Sequence, residues 1–310
     1  MSQVQFQAEL QGAAATAGSA AQMPAQKPAL GYWQRAFRHI RKDRITVFAF
    51  FLLLLITLLS IAAPWIGKLL DVDPNTTQLL KRMKPPSSEH LLGTDDVGRD
   101  VLIRLLYAGR VSLLIGVLAA LTAFVIGVTC GLLAGFYQKW VDDAINAVIQ
   151  TTINIPLLFL LILLSVIFRP GIGGLAVILG LLSWQGNARQ IRAAVLSVKG
   201  HDYIDAARVL GSKDGRIMWR HIFPNVTSIV LVVTGFDVAG AILAESGLSA
   251  LGLGIQPPMA SWGNMLAKSF QYATKAPWLV ISPGVMIFLT VLSIFLLADG
   301  IRDALDPRIS

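Results

Sequence analysis

The chain has 310 residues, of which 55% are hydrophobic and only 14% are charged, and its mean hydropathy is +0.64. Soluble domains usually carry about 25% charged residues, so this composition excludes an ordinary soluble protein and indicates a polytopic membrane protein. The net charge of +8 at pH 7 does not indicate nucleic-acid binding, because the Lys and Arg residues sit mainly between apolar segments. The single cysteine, Cys130, excludes a disulfide within the chain.

The first 44 residues are predicted to form a cytosolic N-terminal tail. Residues 1–30 are rich in Ala and Gln and lack the apolar core of a signal peptide, a composition typical of disorder. The first uncharged apolar run, residues 45–67, has the ~20 residues that a transmembrane helix requires. It follows a basic cluster that places the N-terminus in the cytoplasm by the positive-inside tendency. The cluster consists of Arg35, Arg38, Arg41, Lys42 and Arg44.

Residues 68–110 are predicted to form an extracytoplasmic segment. They carry seven Lys or Arg residues, which opposes that orientation, and we give precedence to the first span because it usually dominates. The segment also holds the acidic residues Glu89, Asp95, Asp96 and Asp100. They lack the spacing of a calcium loop, so we expect ion pairs with Arg99 and Arg104 or docking of a binding protein. The four histidines of the chain show no ligand spacing either, and no metal site is predicted.

Two of the next spans carry side chains repeated every four residues. In the second predicted span, residues 111–137, Gly127, Gly131 and Gly135 form a small-residue face that lets two helices approach closely. The third predicted span, residues 144–168, carries polar side chains at the same spacing ahead of a proline. These are Asn146, Gln150 and Asn154. Polar groups aligned within a membrane either bind another helix or line a watery path, and both interpretations stay open.

Three further spans complete an all-α prediction of six transmembrane helices with both termini in the cytoplasm. Their bounds are residues 174–188, 226–248 and 276–298. The segment between the last two spans is expected outside, with a part that dips back into the protein. The five-span core therefore covers residues 111–299, and residues 300–310 form a cytosolic C-terminal tail.

The charge-rich loop of residues 199–225 interrupts the apolar second half of the chain and returns to the cytoplasm by the count of spans. It is predicted to form two short helices broken at Gly211, which can adopt a positive φ and end the first helix. Ser212 or Asp214 can cap the second helix, and Pro224 closes the loop where the fifth span begins. Two adjacent alanines in the first helix let a partner protein approach closely.

This loop resembles the EAA signature of ATP-binding-cassette (ABC) importer permeases, a Glu-Ala-Ala triplet followed by Gly and an Ile-x-Leu-Pro ending. The matching residues are Asp205, Ala206, Ala207, Gly211, His221, Ile222 and Pro224. Asp205 replaces the glutamate, His221 takes the usual isoleucine position, and Phe223 replaces the leucine. The spacing from the glycine to the proline is kept, and the ending is similar to that of the peptide-transporter branch.

Further segments are similar to the second (C-type) permease subunit of dipeptide, oligopeptide and nickel importers. They are residues 92–101, 241–245, 251–254, 256–258, 262–266 and 299–307. The resemblance covers essentially everything after the N-terminal tail. It implies the type I ABC importer permease fold, with six transmembrane helices and cytoplasmic coupling helices that sit in grooves of ATPase subunits.

The resemblance further implies a non-enzymatic transport subunit for dipeptides or oligopeptides in a bacterial or archaeal plasma membrane. Its expected partners are the lipid bilayer, a related permease, two ABC ATPases and an extracytoplasmic peptide-binding protein. ATP and Mg²⁺ are expected on the ATPases and no cofactor on this chain, which lacks a G-x-x-x-x-G-K-[ST] phosphate loop. Nickel chelates, glutathione and oligosaccharides remain alternative substrates within the family. A secondary transporter or channel that works without an ATPase is the alternative from another class.

The fifth predicted span has two internal acids, Asp237 and Glu245, and both are candidates for the translocation path beside the three polar residues of the third span. A carboxylate within a membrane is unfavourable and indicates a function. Asp237 departs from the family pattern, and it either faces the pore, binds a peptide amino group or pairs with a basic side chain of the partner permease. For Glu245 the resemblance implies a structural or gating role near the outer end of the span.

Overall fold

The structure, a computed structural model, describes residues 32–305 and is helical apart from the connecting segments. The predictions for residues 1–31 and 306–310, including the disordered opening, lie outside the described residues. The helices are α1 Tyr32–Lys42, α2 Arg44–Leu69, α3 Val101–Tyr137, α4 Lys139–Ile153, α5 Leu157–Phe168, α6 Ile172–Lys199, α7 Asp202–Val209, α8 Asp214–Ile217, α9 Phe223–Ala250, α10 Trp262–Ser269 and α11 Trp278–Leu305. A π-helical turn, Met218–Ile222, joins α8 to α9.

The membrane-spanning helices are recognised by their length and apolar composition. Within the described residues four helices meet both criteria: α2, α3, α11 and the continuous helix Asp214–Ala250 that contains α8 and α9. The pair α4 and α5 makes a fifth span if it is counted as one bent unit. Helix α6 has 28 residues but is more polar, because its second half carries side chains such as Gln185 and Asn187. The six predicted spans thus correspond to α2, α3, α4–α5, α6, α9 and α11.

The third predicted span, residues 144–168, is not a single helix but is broken in its middle. Helix α4 ends at Ile153, α5 begins at Leu157, and the two helices meet at 80°. Pro156 lacks a backbone N–H, and its ring restricts Ile155 before it to non-helical conformations. The proline therefore turns the chain, and the polar residues of α4 lie on a different axis from the apolar helix α5.

The second span starts ten residues earlier than predicted. Helix α3 begins at Val101, after Asp100, whose side chain caps it by accepting a 3.0 Å hydrogen bond from the N–H of Ile103. Arg104 lies outside the predicted span, yet it is buried within the fold and donates to the carbonyl of Pro74 at 2.9 Å. The charge is tolerated because protein oxygens, rather than lipid, surround it.

The glycine face of α3 packs directly on α6, as predicted. A Cβ on Gly127 or Gly135 would lie 2.7 Å from the Cβ of Asn187 or Val195 respectively, closer than two carbon atoms can approach. Glycine therefore sets the distance between these two helices, which form the most extensive helix pair within residues 32–305.

The predicted ion pairs of the segment before α3 are present. The guanidinium of Arg99 binds Asp95 with an Nε to Oδ2 distance of 2.6 Å, and Arg104 approaches the same carboxylate at 3.7 Å. Asp100 binds Nδ1 of His90 at 2.9 Å. Among the described residues no group of three His, Cys, Asp or Glu side chains is arranged to hold a metal ion.

Candidate coupling site and translocation path

Gly211 ends the first helix of the predicted coupling loop with φ +80°. Its N–H donates to the carbonyl of Arg208 at 3.0 Å, and the N–H of Ser212 donates to the carbonyl of Ala207 at 3.1 Å. This pair of hydrogen bonds is a Schellman motif, in which glycine at the left-handed position satisfies carbonyls left free at a helix end. The structure thus places the helix break where the sequence predicts it.

One face of α7 is anchored to the ends of the spans. Ile204 is fully buried, and Ala207 is also buried. Ile204 packs into an apolar cluster with Ile217 and Ile222 from the second half of the loop. The cluster continues into α3 and α6 through Val128, Leu132, Phe136, Ile191 and Val195. Helix α7 is therefore connected to α3 and α6 by direct packing.

The opposite face of the loop is open. Val209 and Leu210, which immediately precede the glycine, are 86% and 85% exposed. Asp205 and Ala206 are exposed as well, and Asp205 pairs with Arg208 at 3.0 Å within its own helix. Both alanines are predicted to face a partner, but only Ala206 is exposed. Ala207 is buried on the anchored face of α7. Sequence reasoning missed the apolar pair, although two consecutive aliphatic residues in a charged loop were a visible signal.

The helix in the second half of the loop is not capped by the residues predicted from the sequence. Helix α8 begins at Asp214, and its N-cap position is Lys213, which makes no capping hydrogen bond with its side chain. Neither Ser212 nor Asp214 therefore caps the helix as expected. Asp214 instead lies in the first turn, where a negative charge is favourable near the helix N-terminus.

Pro224 does not separate the loop from the fifth span, because the helix runs through it. A proline cannot donate to the carbonyl four residues before it, and its ring crowds that carbonyl. The π-turn accommodates this: the N–H of Phe223 bonds the carbonyl of Met218, five residues back. The Asn225 side chain donates to the His221 carbonyl at 2.6 Å. Ile222 is fully buried in the same turn, and the second half of the loop and the span form one continuous helix.

Polar contacts fix the loop-proximal ends of the helices to each other. Nε of Arg192 on α6 donates to Asp142 on α4 at 2.6 Å, with a second bond from the same guanidinium. Nζ of Lys199 donates to the carbonyl of Phe136 at 2.6 Å and lies 5.5 Å from that residue's ring centroid. Burial lowers the pKa of the Lys199 ammonium. These contacts hold α3, α4 and α6 together at the base of the loop.

The three polar candidates of α4 have separate environments. Asn146 donates to the side chain of Asp142 at 2.5 Å, so it supports the ion pair described above. Gln150 and Asn154 are exposed, and Asn154 is the C-cap residue at the bend. None of the three lines the cavity that Asp237 borders between α5, α6 and α9.

Asp237 on α9 accepts a hydrogen bond from the amide of Asn187 on α6. It also borders a cavity of about 170 Å³ between α5, α6 and α9. The rest of this cavity is largely apolar, with Leu157, Leu161, Leu179, Leu182 and Phe236 among its lining residues. The sequence signal for Asn187 was a polar side chain in the second half of α6, and only packing identifies it as the partner of Asp237.

Glu245 is completely buried and holds the segment after α9. Its Oε1 accepts hydrogen bonds from Ser249 and from Ser261, both at 2.7 Å. Ser261 caps α10 in a capping box with Asn264, and Trp262 after it is fully buried with its indole N–H bonded to the carbonyl of Leu105 at 3.0 Å. The predicted segment that dips back into the protein is therefore α10, and Glu245 is one of its anchors.

Comparisons with known proteins identify relatives over nearly the whole chain. Residues 127–310 match the family described as binding-protein-dependent transport system inner membrane component, and residues 31–86 match the N-terminal TM domain of oligopeptide transport permease C. The dipeptide transport system permease protein DppC of Alkalihalophilus pseudofirmus is 35% identical over 91% of this chain and 92% of that protein. The oligopeptide transport system permease protein OppC of Bacillus subtilis is 35% identical over 96% of each.

One further sequence relative and one solved structure also match this chain. The glutathione transport system permease protein GsiD of Pectobacterium atrosepticum is 37% identical over 89% of this chain and 91% of that protein. Among solved structures, a chain of the MetNI methionine ABC transporter in inward facing conformations superimposes with a TM-score of 0.54 and 19% identity. The match covers 66% of this chain and 96% of that one. At this low sequence identity, the likeness to the methionine transporter chain shows a shared fold and nothing more.

The helical architecture and this structural likeness define an all-α, multi-pass membrane protein with the type I ABC importer fold, and the family match defines its class as a permease. The chain belongs to the family of binding-protein-dependent transport system inner membrane components. The resemblance stated from the sequence is thereby confirmed, including its assignment to the dipeptide and oligopeptide permease C group.

Proposed function

We propose that the chain is the transmembrane permease subunit of an ATP-driven importer of dipeptides or oligopeptides, in which it forms half of the translocation path. It pairs with a related permease, two cytosolic ATPases that bind ATP and Mg²⁺, and an extracytoplasmic binding protein. The chain itself performs no hydrolysis and binds no cofactor. The N-terminus and the coupling loop lie in the cytoplasm, as the basic cluster before the first span indicates.

The observation that carries this proposal is the two-faced geometry of α7. One face is buried against the ends of α3 and α6 through Ile204, and the other presents Val209 and Leu210 almost fully to the outside. A short helix with an open apolar end suits a groove on another protein. Closure of two ATPases draws the two coupling loops together, and the anchored face transmits that motion to the spans.

The peptide substrate is supported by relatives named for dipeptide and oligopeptide transport, each covering more than nine-tenths of this chain. The glutathione permease among the relatives is compatible with the same proposal, because glutathione is itself a short peptide. Selection among peptides belongs to the separate binding protein, which meets the substrate before the permease does.

Cross-linking and uptake test the proposal against a transporter that works without an ATPase. The native Cys130 is replaced by serine, and cysteine is introduced at Leu210 or, as a control on the buried face, at Ile204. In vesicles containing the complete complex, we expect only the Leu210→Cys variant to cross-link to the ATPase. Uptake of a radiolabelled dipeptide should require ATP and the ATPase together. Uptake driven without ATP contradicts the proposal.

Competition during the same uptake assay tests the substrate class. Unlabelled dipeptides and tripeptides should reduce the uptake of the labelled dipeptide, whereas nickel chelates and oligosaccharides should leave it unchanged. ATP-dependent uptake that is blocked by an oligosaccharide and not by peptides overturns the peptide assignment and retains the permease assignment.

Substitution of Asp237 separates a structural from a substrate-binding role. The Asp237→Leu change leaves the Asn187 amide without its acceptor in an apolar region, and a buried unsatisfied donor costs about 1–3 kcal/mol. We therefore expect a lower thermal unfolding temperature for Asp237→Leu than for Asp237→Asn, which retains an acceptor oxygen. Thermal unfolding of the purified complex in lipid nanodiscs measures this difference. Equal unfolding temperatures contradict the structural role.

The Asp237→Asn variant then tests contact with substrate. A carboxylate that binds the amino group of a peptide loses that charge interaction in the amide, so the KM for dipeptides with a free amino group should rise relative to that for N-acetylated dipeptides. Unchanged uptake kinetics and specificity exclude this contact and leave the hydrogen bond to Asn187 as the function of the side chain.

A further inference from the structure

Helix α1 combines exposed basic and apolar side chains immediately before the first span. The described side chains of Phe37, Arg38, Arg41 and Lys42 are all exposed, and Phe37 is 62% exposed. The sequence of the helix contains no Asp or Glu. A short basic helix with exposed aromatic surface is typical of a helix that lies in a membrane interface.

The junction with α2 places this helix at the edge of the hydrocarbon. Asp43 adopts an extended conformation between the two helices and caps α2, accepting hydrogen bonds from the N–H of Ile45 at 3.0 Å and of Thr46 at 3.2 Å. Ile45 and Phe48, in the first turns of α2, are 61% and 65% exposed. They belong to a helix that is long and apolar enough to cross a membrane, where exposed apolar side chains are expected to face lipid. Helix α1 therefore ends, at Lys42, directly beside the exposed apolar surface at the start of α2.

Three cations of α1 have no acidic partner among the residues that the structure describes. Among residues 32–305, Arg38, Arg41 and Lys42 form no ion pair, and Arg41 lies 5.8 Å from the ring centroid of Phe37. Helix α11 packs against α1, but its exposed acids, Asp299 and Asp303, do not bind these cations. The three cations border an open concavity of about 450 Å³ together with Phe37. This concavity is positive and lies beside an apolar ring.

We propose that α1 lies in the membrane interface and binds the headgroups of anionic phospholipids through Arg38, Arg41 and Lys42. Phe37 contacts the boundary between headgroups and acyl chains. An anionic lipid fits both parts of this surface, because its phosphate pairs with the cations while its chains cover the exposed residues at the start of α2. Each cation near an anionic membrane surface contributes about 1 kcal/mol, roughly a fivefold change in binding.

Site-specific fluorescence quenching tests this proposal on the complete transporter. The native Cys130 is replaced by serine, and His39→Cys, an exposed position on α1, carries a bimane label. The complex is reconstituted in phosphatidylcholine vesicles that contain a small, equal fraction of nitroxide-labelled phosphatidylglycerol or nitroxide-labelled phosphatidylcholine. We expect at least about fivefold stronger quenching by the phosphatidylglycerol probe. About 0.5 M salt should weaken this preference by screening.

A triple variant identifies the residues responsible. Arg38→Gln, Arg41→Gln and Lys42→Gln together should make quenching by the two lipids equal. The matched control removes three exposed cations elsewhere and should keep the preference for phosphatidylglycerol. It consists of Arg82→Gln, Lys84→Gln and Lys275→Gln.

Several results overturn the proposal. Recognition by these cations is excluded if the two lipid probes quench the label equally when Arg38, Arg41 and Lys42 are all present. It is also excluded if the stronger quenching by phosphatidylglycerol persists in the triple variant. Absence of quenching by either lipid shows that protein, either another subunit or a segment of this chain, covers the helix. A preference that disappears on addition of inorganic phosphate, and persists in sodium chloride of the same ionic strength, assigns the concavity to a soluble anion.

Discussion

Replacing Gly211 by valine is expected to abolish the stimulation of ATP hydrolysis by substrate while leaving the complex assembled. The residue has φ +80°, a conformation that costs an L-amino acid about 1–2 kcal/mol, and more for a β-branched side chain. A Cβ at this position would meet no atom within 4 Å, so the effect is confined to the backbone of the loop. We expect loss of the Schellman hydrogen bonds and displacement of the open apolar pair before the glycine.

The measurement is the ATPase rate of the complete complex in vesicles with and without the substrate-loaded binding protein. Stimulation should fall at least about tenfold, whereas co-purification of all subunits should be unchanged, because Ile204 and Ile217 still anchor the loop. Gly211→Asn is the first control and should retain most of the stimulation, since asparagine tolerates the left-handed region. Gly215→Val is the second, because Gly215 lies in the same loop without a positive φ and with open space around it. Normal stimulation in Gly211→Val contradicts the coupling role.

Replacing Gly131 by alanine is expected to destabilise the transmembrane core. The added Cβ would lie 2.8 Å from both the carbonyl oxygen of Ala188 and the Cβ of Ile191 on α6. Neither neighbour is the end of a flexible side chain, so α3 and α6 have to separate. Overpacking of this kind costs about 1–3 kcal/mol. The thermal unfolding temperature of the complex in nanodiscs should fall by several degrees, with less permease in the membrane.

The matched control is Gly186→Ala on α6, because the same methyl group there meets no atom within 4 Å. Alanine is the better helix former by about 0.8–1 kcal/mol, so this variant should be as stable as the unsubstituted protein or slightly more stable. Equal unfolding temperatures for the two alanine variants contradict the packing role of Gly131.

The features that the sequence predicted correctly are those encoded by neighbouring residues. The break at Gly211 follows from the preference of glycine for positive φ, and the close approach of α3 to α6 follows from glycines four residues apart. The family assignment followed from short motifs whose spacing is a local property. The bounds of the spans were less accurate, since a charge such as Arg104 can be buried among protein oxygens instead of ending the helix.

The contacts of the candidate site required the tertiary structure. Asn187 and Asp237 are 50 residues apart, as are Asp142 and Arg192, and each pair meets only because their helices pack in one particular register. The same holds for Ser261, which returns to bind Glu245 on the preceding span.

The sequence by itself determined that this is a multi-pass helical permease and where the loop of residues 199–225 breaks, because hydrophobicity, charge bias and glycine conformation act over a few residues. Only the tertiary structure decided which face of α7 is anchored and which is open, that the polar residues of α4 lie away from Asp237, and that Glu245 holds α10. These outcomes depend on the relative rotation and spacing of packed helices. They result from the summed packing of many side chains and are not encoded in any single stretch of sequence.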